Sequence, residues 1–142
     1  MPLTLTISQG VLSKGQARTA VEELSEAFLD RHNLTENSVM TPNVTANVVF
    51  VEEGLSFSGG KPFQGVWVEW KVPSFAFATE AIQKGYGEDA SAIIQKLTGG
   101  TQPVDNVYFN VVHSVDGAWA LDGKAMTNAE LGVEIAKGAP SI

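Results

Sequence analysis

The sequence predicts an α/β fold of the α+β type, in which a four-stranded sheet carries two helices on one face. Segments that alternate apolar and polar residues flank a segment of helical period, and this strand–helix–strand order occurs twice, over residues 2–51 and 65–112. Crossovers this short make the two strands of each unit parallel, with a right-handed connection. The sequence therefore predicts one domain built from two β-α-β units.

The unit boundaries follow from composition. The first β-α-β unit spans residues 1–53 and the second spans 65–113. Between them, residues 54–64 are rich in turn-forming residues and are expected to form a linker or flap with a small hairpin. Turn dipeptides after the second unit predict that residues 114–142 form short hairpin elements and an irregular tail.

The first unit begins with a strand, because apolar residues occupy alternate positions in residues 3–7. Ser13 and Gln16 have the spacing of a capping box, which predicts the start of a helix. That helix is expected to end near residues 32–33. The second strand, over residues 47–51, is almost continuously apolar, which is typical of a strand covered on both faces.

The second unit begins with an alternating strand over residues 66–72. A broken helical region is expected next, with one piece over residues 75–84 and a better one over 88–98. Gly85-Tyr86-Gly87 would interrupt it. The fourth strand is expected over residues 106–112.

Composition excludes several classes of protein. The net charge is −7 with only two arginines, so no basic stripe is available for nucleic acid. Zero cysteines exclude disulfides and thiolate chemistry, and two histidines make a zinc site improbable, so we expect no metal and no cofactor. Because neither a membrane span nor a signal peptide is evident, we expect a cytoplasmic protein. Charged residues make up only 18% of the chain, which favours an oligomer with buried faces.

Pro2 is the first candidate for chemistry. An initiator methionine that precedes a small residue is usually removed, which would leave Pro2 with a free secondary amine at the start of a strand. Burial at the mouth of a sheet disfavours the protonated amine and lowers its pKa, which gives a base usable near neutral pH. The alternative is that Pro2 merely occupies a strand position that needs no amide donor.

Three segments carry a family resemblance. Residues 2–7, PLTLTI, open the first strand; residues 105–110, DNVYFN, match a D-x-V-Y-x-N pattern in the fourth; and Trp119 follows near the C-terminus. In this order they resemble the tautomerase superfamily, both macrophage migration inhibitory factor and the longer cis-3-chloroacrylic acid dehalogenase-like members. The resemblance implies a homotrimer with active sites at subunit interfaces and Pro2 as the catalytic base.

The resemblance also implies roles for two residues of the fourth strand. Tyr108 and Asn110 are two positions apart and therefore project from the same face. Tyr108 would donate a hydrogen bond to the substrate oxygen on which charge develops as Pro2 removes a proton. For Tyr108 the alternative is packing in an interface, and for Asn110 it is a structural amide.

Candidates for substrate binding are fewer than in the arginine-bearing relatives. The third-strand region lacks their arginine pair, so Lys71 is the best remaining candidate for an anion, although a solvated strand-end lysine is the simpler interpretation. Trp70 belongs to an aromatic group that forms either an apolar pocket wall or part of the core.

These residues favour a cofactor-independent keto–enol tautomerase that acts on a small keto or enol acid. One alternative is a hydratase or dehalogenase like the cis-3-chloroacrylic acid dehalogenases, which the missing arginines weaken. Another is a trimeric binding module without catalysis, if Met1 is retained and the Pro2 nitrogen stays an amide. A third is an unrelated ferredoxin-like domain, which has the same element order but antiparallel pairing.

Overall fold

The computed structural model describes residues 1–141, which form a four-stranded sheet, two long helices, two small hairpins and a C-terminal helix. The strands are β1 Pro2–Ser8, β2 Thr45–Val51, β3 Phe57–Ser58, β4 Lys61–Pro62, β5 Val66–Pro73, β6 Val107–Ser114, β7 Trp119–Leu121 and β8 Lys124–Met126. The helices are α1 Lys14–Arg31, α2 Glu80–Leu97 and α3 Asn128–Lys137, and short 3-10 turns lie at Thr41–Asn43 and Val104–Asn106.

The main sheet has the strand order β2-β1-β5-β6. Strands β1 and β2 are parallel, as are β5 and β6, which confirms the two predicted β-α-β units. The units join through the antiparallel pair β1–β5, in which Leu3 is opposite Trp70 and Thr6 is opposite Trp67. The predicted small hairpin between the units is present as β3–β4.

One face of the sheet packs against α1 and α2 and forms the core. The alternate residues of β1 and β5 that point to this face are fully buried: Leu3, Leu5, Ile7, Val66, Val68, Trp70 and Val72. From the helices, Leu24, Phe28, Tyr86 and Ile94 pack against them with no exposed surface. Each such apolar side chain stabilises the fold by about 1.5–3 kcal/mol. The alternation read from the sequence therefore corresponds to the two faces of the sheet.

Helix α1 begins where the sequence predicts. The Ser13 hydroxyl accepts from the Gln16 amide at 3.1 Å, and the Gln16 side chain accepts from the Ser13 amide at 2.9 Å, which completes the capping box. The helix ends at Arg31, and His32 is its C-cap.

The predicted break in the second helical region is wrong. Thr79 caps α2, whose eighteen residues run without interruption through Gly85 and Gly87, while residues 74–79 form turns. A Cβ on Gly85 would lie 2.5 Å from a guanidinium nitrogen of Arg31, and one on Gly87 would touch Phe109 at 3.4 Å. These glycines therefore permit close packing of α2 on its neighbours, and the packing outweighs their low helix propensity.

The C-terminal region is also more regular than predicted. Hairpin β7–β8 is present, but an α-helix, α3, follows it where an irregular tail was expected. The Thr127 hydroxyl accepts from the Glu130 amide at 3.1 Å, and Leu131 is buried. The T-x-x-E spacing of these two residues was the available sequence signal.

The other face of the sheet carries polar and aromatic residues. On β1, β5 and β6 these are Thr4, Thr6, Trp67, Glu69, Lys71, Tyr108 and Asn110, and the exposed Val112 lies beside them.

None of the helices within residues 1–141 combines the length and the hydropathy needed to cross a bilayer.

Candidate active site

The N-terminus of the chain is buried. Met1 is only 6% exposed, and its amine donates a hydrogen bond to the carbonyl oxygen of Asn43. Because desolvation penalises the charged form, burial lowers the pKa of this amine from 8.0 to about 6. The Met1 amine is therefore mostly uncharged at neutral pH.

A cleft of about 310 Å³ lies beside the N-terminus, between the end of α1, the turn after β5 and helix α3. Its walls are mostly apolar, and the residues that line it are Met1, Phe28, Arg31, His32, Asn33, Leu34, Phe75, Ala76, Ile82, Gly132 and Ile135. A concave apolar site with a few polar groups is typical of small-molecule binding.

Pro2 is the first residue of β1 and is half-buried. It pairs with Thr45 of β2 on one side. On the other side the antiparallel register pairs Leu3 with Trp70, so Pro2 and Lys71 are the next positions along the same ladder. Two predicted site residues, Pro2 and Lys71, thus lie at the same end of the sheet.

Lys71 is exposed, with 59% of its side chain open to solvent. Its ammonium lies 3.8 Å from a carboxylate oxygen of Glu69, two residues earlier on the same face. A surface pair of this kind contributes little stability, so the ammonium can exchange Glu69 for another anion at small cost.

Tyr108 and Asn110 project from the same face of β6, as predicted. Tyr108 is 39% exposed and stacks on Trp67 at a centroid distance of 5.9 Å. The Asn110 amide donates to the Glu69 carboxylate at 3.2 Å. Within the single chain, both side chains therefore already contact neighbours on the same face of the sheet, Tyr108 through its ring and Asn110 through its amide.

Within one protomer, Tyr108 is far from Pro2. Tyr108 is opposite Trp67, whereas Lys71, four residues along β5, is level with Pro2. Four strand residues span roughly 13 Å, too far for one small substrate to touch both side chains. The structure of a single chain therefore brings Pro2 and Lys71 together but leaves Tyr108 apart.

Trp70 does not line the site. It points to the helix-covered face and is fully buried, with its ring stacked on Phe28 at 4.4 Å. Its indole N–H donates to the Tyr86 hydroxyl at 2.9 Å. Core packing is therefore the correct interpretation of Trp70, and the predicted substrate-binding role is wrong. The even-numbered residues of β5 face the helices, and Trp70 is one of them.

Several residues of the cleft were not predicted. Phe28, Leu34, Phe75 and Ile135 come from four separate segments of the chain and meet only in the fold. Nothing local in the sequence distinguishes these residues from core residues. His32 is the exception, because a histidine at the predicted end of the first helix could have been named as a candidate from the sequence.

Arg31 also lines the cleft, but its charge is balanced. Its guanidinium donates two hydrogen bonds to Asp89 of α2, at 2.7 and 2.9 Å. Because these hydrogen bonds to the Asp89 carboxylate stabilise the charged guanidinium, they raise the pKa of Arg31. An anion in the cleft would have to compete with Asp89 for this bidentate pair.

Comparison with known proteins gives similarity in structure alone. No family model and no curated protein matches the chain. Among solved structures, N1, a member of the cis-3-chloroacrylic acid dehalogenase family, is 14% identical with a TM-score of 0.72 over 99% of this chain and 93% of that one. Pt0534 inactivated by 2-oxo-3-pentynoate is 15% identical with a TM-score of 0.73, over 93% and 99% of the two chains.

A third match is the F6 fused 4-OT wild type asymmetric trimer, 14% identical with a TM-score of 0.73, again over 93% and 99% of the two chains. These matches cover nearly the whole length of both partners. At such identities they establish the architecture and not the chemistry. The tandem β-α-β units, the mixed sheet and these full-length matches together show that the chain has the fold of the tautomerase superfamily.

Proposed function

We propose that the protein is a cofactor-independent keto–enol tautomerase that acts on a small keto or enol acid, with Pro2 as the general base. The observation that carries this proposal is the buried N-terminus beside an apolar cleft, where desolvation lowers the pKa of the Met1 amine to about 6. Because Pro2 is itself half-buried, we expect desolvation to lower the pKa of a free Pro2 amine in the same direction. A base with a pKa near the working pH combines a large unprotonated fraction with useful basicity.

The base becomes available when Met1 is removed. With Met1 present, the Pro2 nitrogen is an amide and has no basicity. Removal transfers the free amine to Pro2, about 3.8 Å along the chain. It also vacates the space of Met1, which lines the cleft, so we expect the cleft to open toward the new amine.

The reaction is a proton transfer that needs no other reactant. The Pro2 nitrogen takes a proton from the carbon next to the substrate carbonyl. The electron pair of that C–H bond forms the carbon–carbon double bond, and the carbonyl π pair moves to oxygen. The protonated Pro2 amine then passes this proton, directly or through water, to the enolate oxygen, which gives the enol and regenerates the free amine. The reverse sequence converts the enol to the ketone.

The negative charge that develops on oxygen needs a donor. We assign this role to Tyr108, with Asn110 beside it. Because Tyr108 and Pro2 of one chain are too far apart, the proposal requires a homotrimer in which a neighbouring protomer supplies β6. The polar and aromatic outer face of the sheet, with Trp67 and Tyr108 stacked on it, is the surface such an interface would bury.

The substrate is expected to have an apolar body and one carboxylate. Phe28, Phe75 and Ile135 line the cleft and suit an apolar or aryl group. Lys71 is not part of the cleft lining but lies on the other face of the sheet, level with Pro2, where it would supply a point charge for a carboxylate that extends past the Pro2 nitrogen. An aryl pyruvate has both features.

Intact mass and kinetics test the proposal. The mass of the natively expressed protein is expected to show the loss of one methionine. The decisive variant is an extended control that carries one extra residue before Pro2, which keeps every side chain but makes the nitrogen an amide. It is expected to lose 10²- to 10⁴-fold in kcat/KM for enolisation of phenylpyruvate, the range for removal of a general base. Pro2→Ala keeps a primary amine at the same place, so its kcat/KM is expected to fall less than that of the extended control. Full activity of the extended control refutes the role of Pro2.

Chemical labelling gives a second test. The neighbour Pt0534 is inactivated by 2-oxo-3-pentynoate, an electrophile whose triple bond accepts amines. We expect the mature chain to gain one adduct on Pro2, located by peptide mass spectrometry, and the extended control to gain none. Quantitative retention of Met1, with no adduct and no activity, would instead favour a trimeric binding module.

A further inference from the structure

One peptide group beside the cleft is held at both ends by histidine. The Phe77 N–H donates to Nε2 of His32 at 2.9 Å, and the carbonyl oxygen of Ala76 lies 2.7 Å from Nε2 of His113. These two backbone groups belong to the same peptide plane. His32 and His113 are the only histidines of the sequence, and they reach this plane from the end of α1 and from β6.

The partners determine which nitrogen of each ring carries the proton. Nδ1 of His32 lies 2.8 Å from the Phe28 carbonyl, which only accepts, so Nδ1 carries a hydrogen. Nε2 of His32 accepts from Phe77 and is therefore bare, which makes the ring neutral. Nε2 of His113 faces a carbonyl and must carry a hydrogen. His32 therefore accepts a hydrogen bond from the peptide through Nε2, whereas His113 donates one to the same peptide through Nε2.

The backbone here adopts a conformation that needs such support. Phe77 has φ of 52°, in the left-handed region that a bulky residue rarely occupies. Its carbonyl accepts from the Gln83 side chain at 2.7 Å, and its buried ring packs edge-on against His32 at 4.9 Å. Strained residues persist where the surroundings over-determine them, and such places are often functional.

The held peptide continues directly into the cleft wall, since Phe75 and Ala76 line the cleft beside the N-terminus. We propose that His32 and His113 are positioning residues of the active site, which together orient the Ala76–Phe77 peptide so that Phe75 forms the wall against the apolar body of the substrate. The inference rests on the proposed function, because it assigns the specificity wall of that same site.

The proposal has a pH dependence with a definite sign. The charged groups that line the cleft with His32 are Arg31, which Asp89 of α2 neutralises, and the N-terminal amine. The contributions of α3 and the 74–79 turn to the lining are uncharged. Burial lowers the pKa of His32 below 6.5, so its neutral form prevails in the fold above that pH. Below its pKa, protonated Nε2 would face the Phe77 N–H, and this hydrogen bond would be lost.

Nuclear magnetic resonance tests the arrangement without reference to catalysis. Long-range ¹⁵N–¹H spectra at pH 8, assigned with His32→Gln and His113→Gln, are expected to show an Nδ1–H ring for His32 and an Nε2–H ring for His113. The protection of the Phe77 amide from exchange is expected to fall on acidification in the wild type and to stay constant in His32→Gln, which does not titrate. An Nε2–H ring for His32, or equal acid sensitivity in both proteins, overturns the proposal.

Kinetics at pH 8 separates positioning from general stability. Leucine at either histidine removes the bond, and the KM for phenylpyruvate is expected to rise about tenfold with kcat within about twofold, the effect of one lost hydrogen bond. Glutamine at His32 can still accept, and glutamine at His113 can still donate, so both are expected to restore KM. Equal KM values for the leucine and glutamine variants contradict a positioning role. If the wild type itself is inactive, the proposed function fails and the spectra alone decide on the two histidines.

Discussion

Replacement of Tyr86 by phenylalanine is expected to destabilise the protein strongly, although it removes only one oxygen atom. The hydroxyl lies in the core, where it accepts from the Trp70 indole at 2.9 Å and donates to the Leu24 carbonyl at 2.9 Å. Burial also raises the pKa of Tyr86, so the group stays a neutral donor at any working pH.

The magnitude follows from the groups left behind. The Trp70 N–H would be buried with no partner, and a buried unsatisfied donor costs about 1–3 kcal/mol. The Leu24 carbonyl lies inside α1 and still accepts its helical hydrogen bond. Loss of the hydrogen bond from Tyr86 to this carbonyl therefore costs less stability, about 0.5–1.5 kcal/mol. We therefore expect a loss of about 2–4 kcal/mol in the free energy of unfolding. At about 3 °C per kcal/mol, Tm would fall by roughly 6–12 °C.

Tyr108→Phe is the matched control, since these are the only two tyrosines of the chain. Tyr108 is 39% exposed in the single chain, and in the proposed trimer its hydroxyl faces the open active site, so loss of the hydroxyl is expected to change stability by less than about 0.5 kcal/mol. Both variants are compared with the wild type by chemical and thermal denaturation at one protein concentration, because assembly would add to stability. If Tyr86→Phe unfolds within about 2 °C of the wild type, the buried hydrogen bonds do not contribute the stability assigned to them.

Two further predictions concern packing and substrate binding. Gly138→Ala is expected to destabilise the protein, because its Cβ would clash with the Asn37 side chain and lie 2.6 Å from the Val39 amide nitrogen. Gly132→Ala, with open space around it in α3, is expected to stabilise by roughly 0.5–1 kcal/mol in urea titrations. Lys71→Ala is expected to raise KM for phenylpyruvate about tenfold and to leave its methyl ester unaffected, since only the acid offers a carboxylate; an equal rise for both substrates would refute the anion role.

The sequence predicted the fold through signals that act locally. Alternation in residues 3–7 and 66–72 marked the strands, and the Ser13–Gln16 capping box marked the start of α1. These signals are reliable because each depends on neighbours within one or two turns of the chain. The same kind of signal was present at Thr127 and Glu130, where it would have revealed α3.

The break predicted in α2 fails for the opposite reason. Gly85 and Gly87 lower helix propensity locally, but their missing side chains are what allow Arg31 and Phe109 to approach. These close contacts stabilise α2 in the folded protein, and a local sequence pattern contains no information about them.

For the candidate site, the residue pattern was enough to predict that Pro2 begins a strand and that Tyr108 and Asn110 share a face, because a strand alternates its side chains whatever surrounds it. The folded sheet was needed to show that Trp70 belongs to the core and that Lys71 is level with Pro2, because both depend on strand register and on which face the helices cover. The apolar cleft beside the N-terminus was likewise a product of folding alone, since its walls come from segments that meet only when the sheet, α1 and α3 pack together.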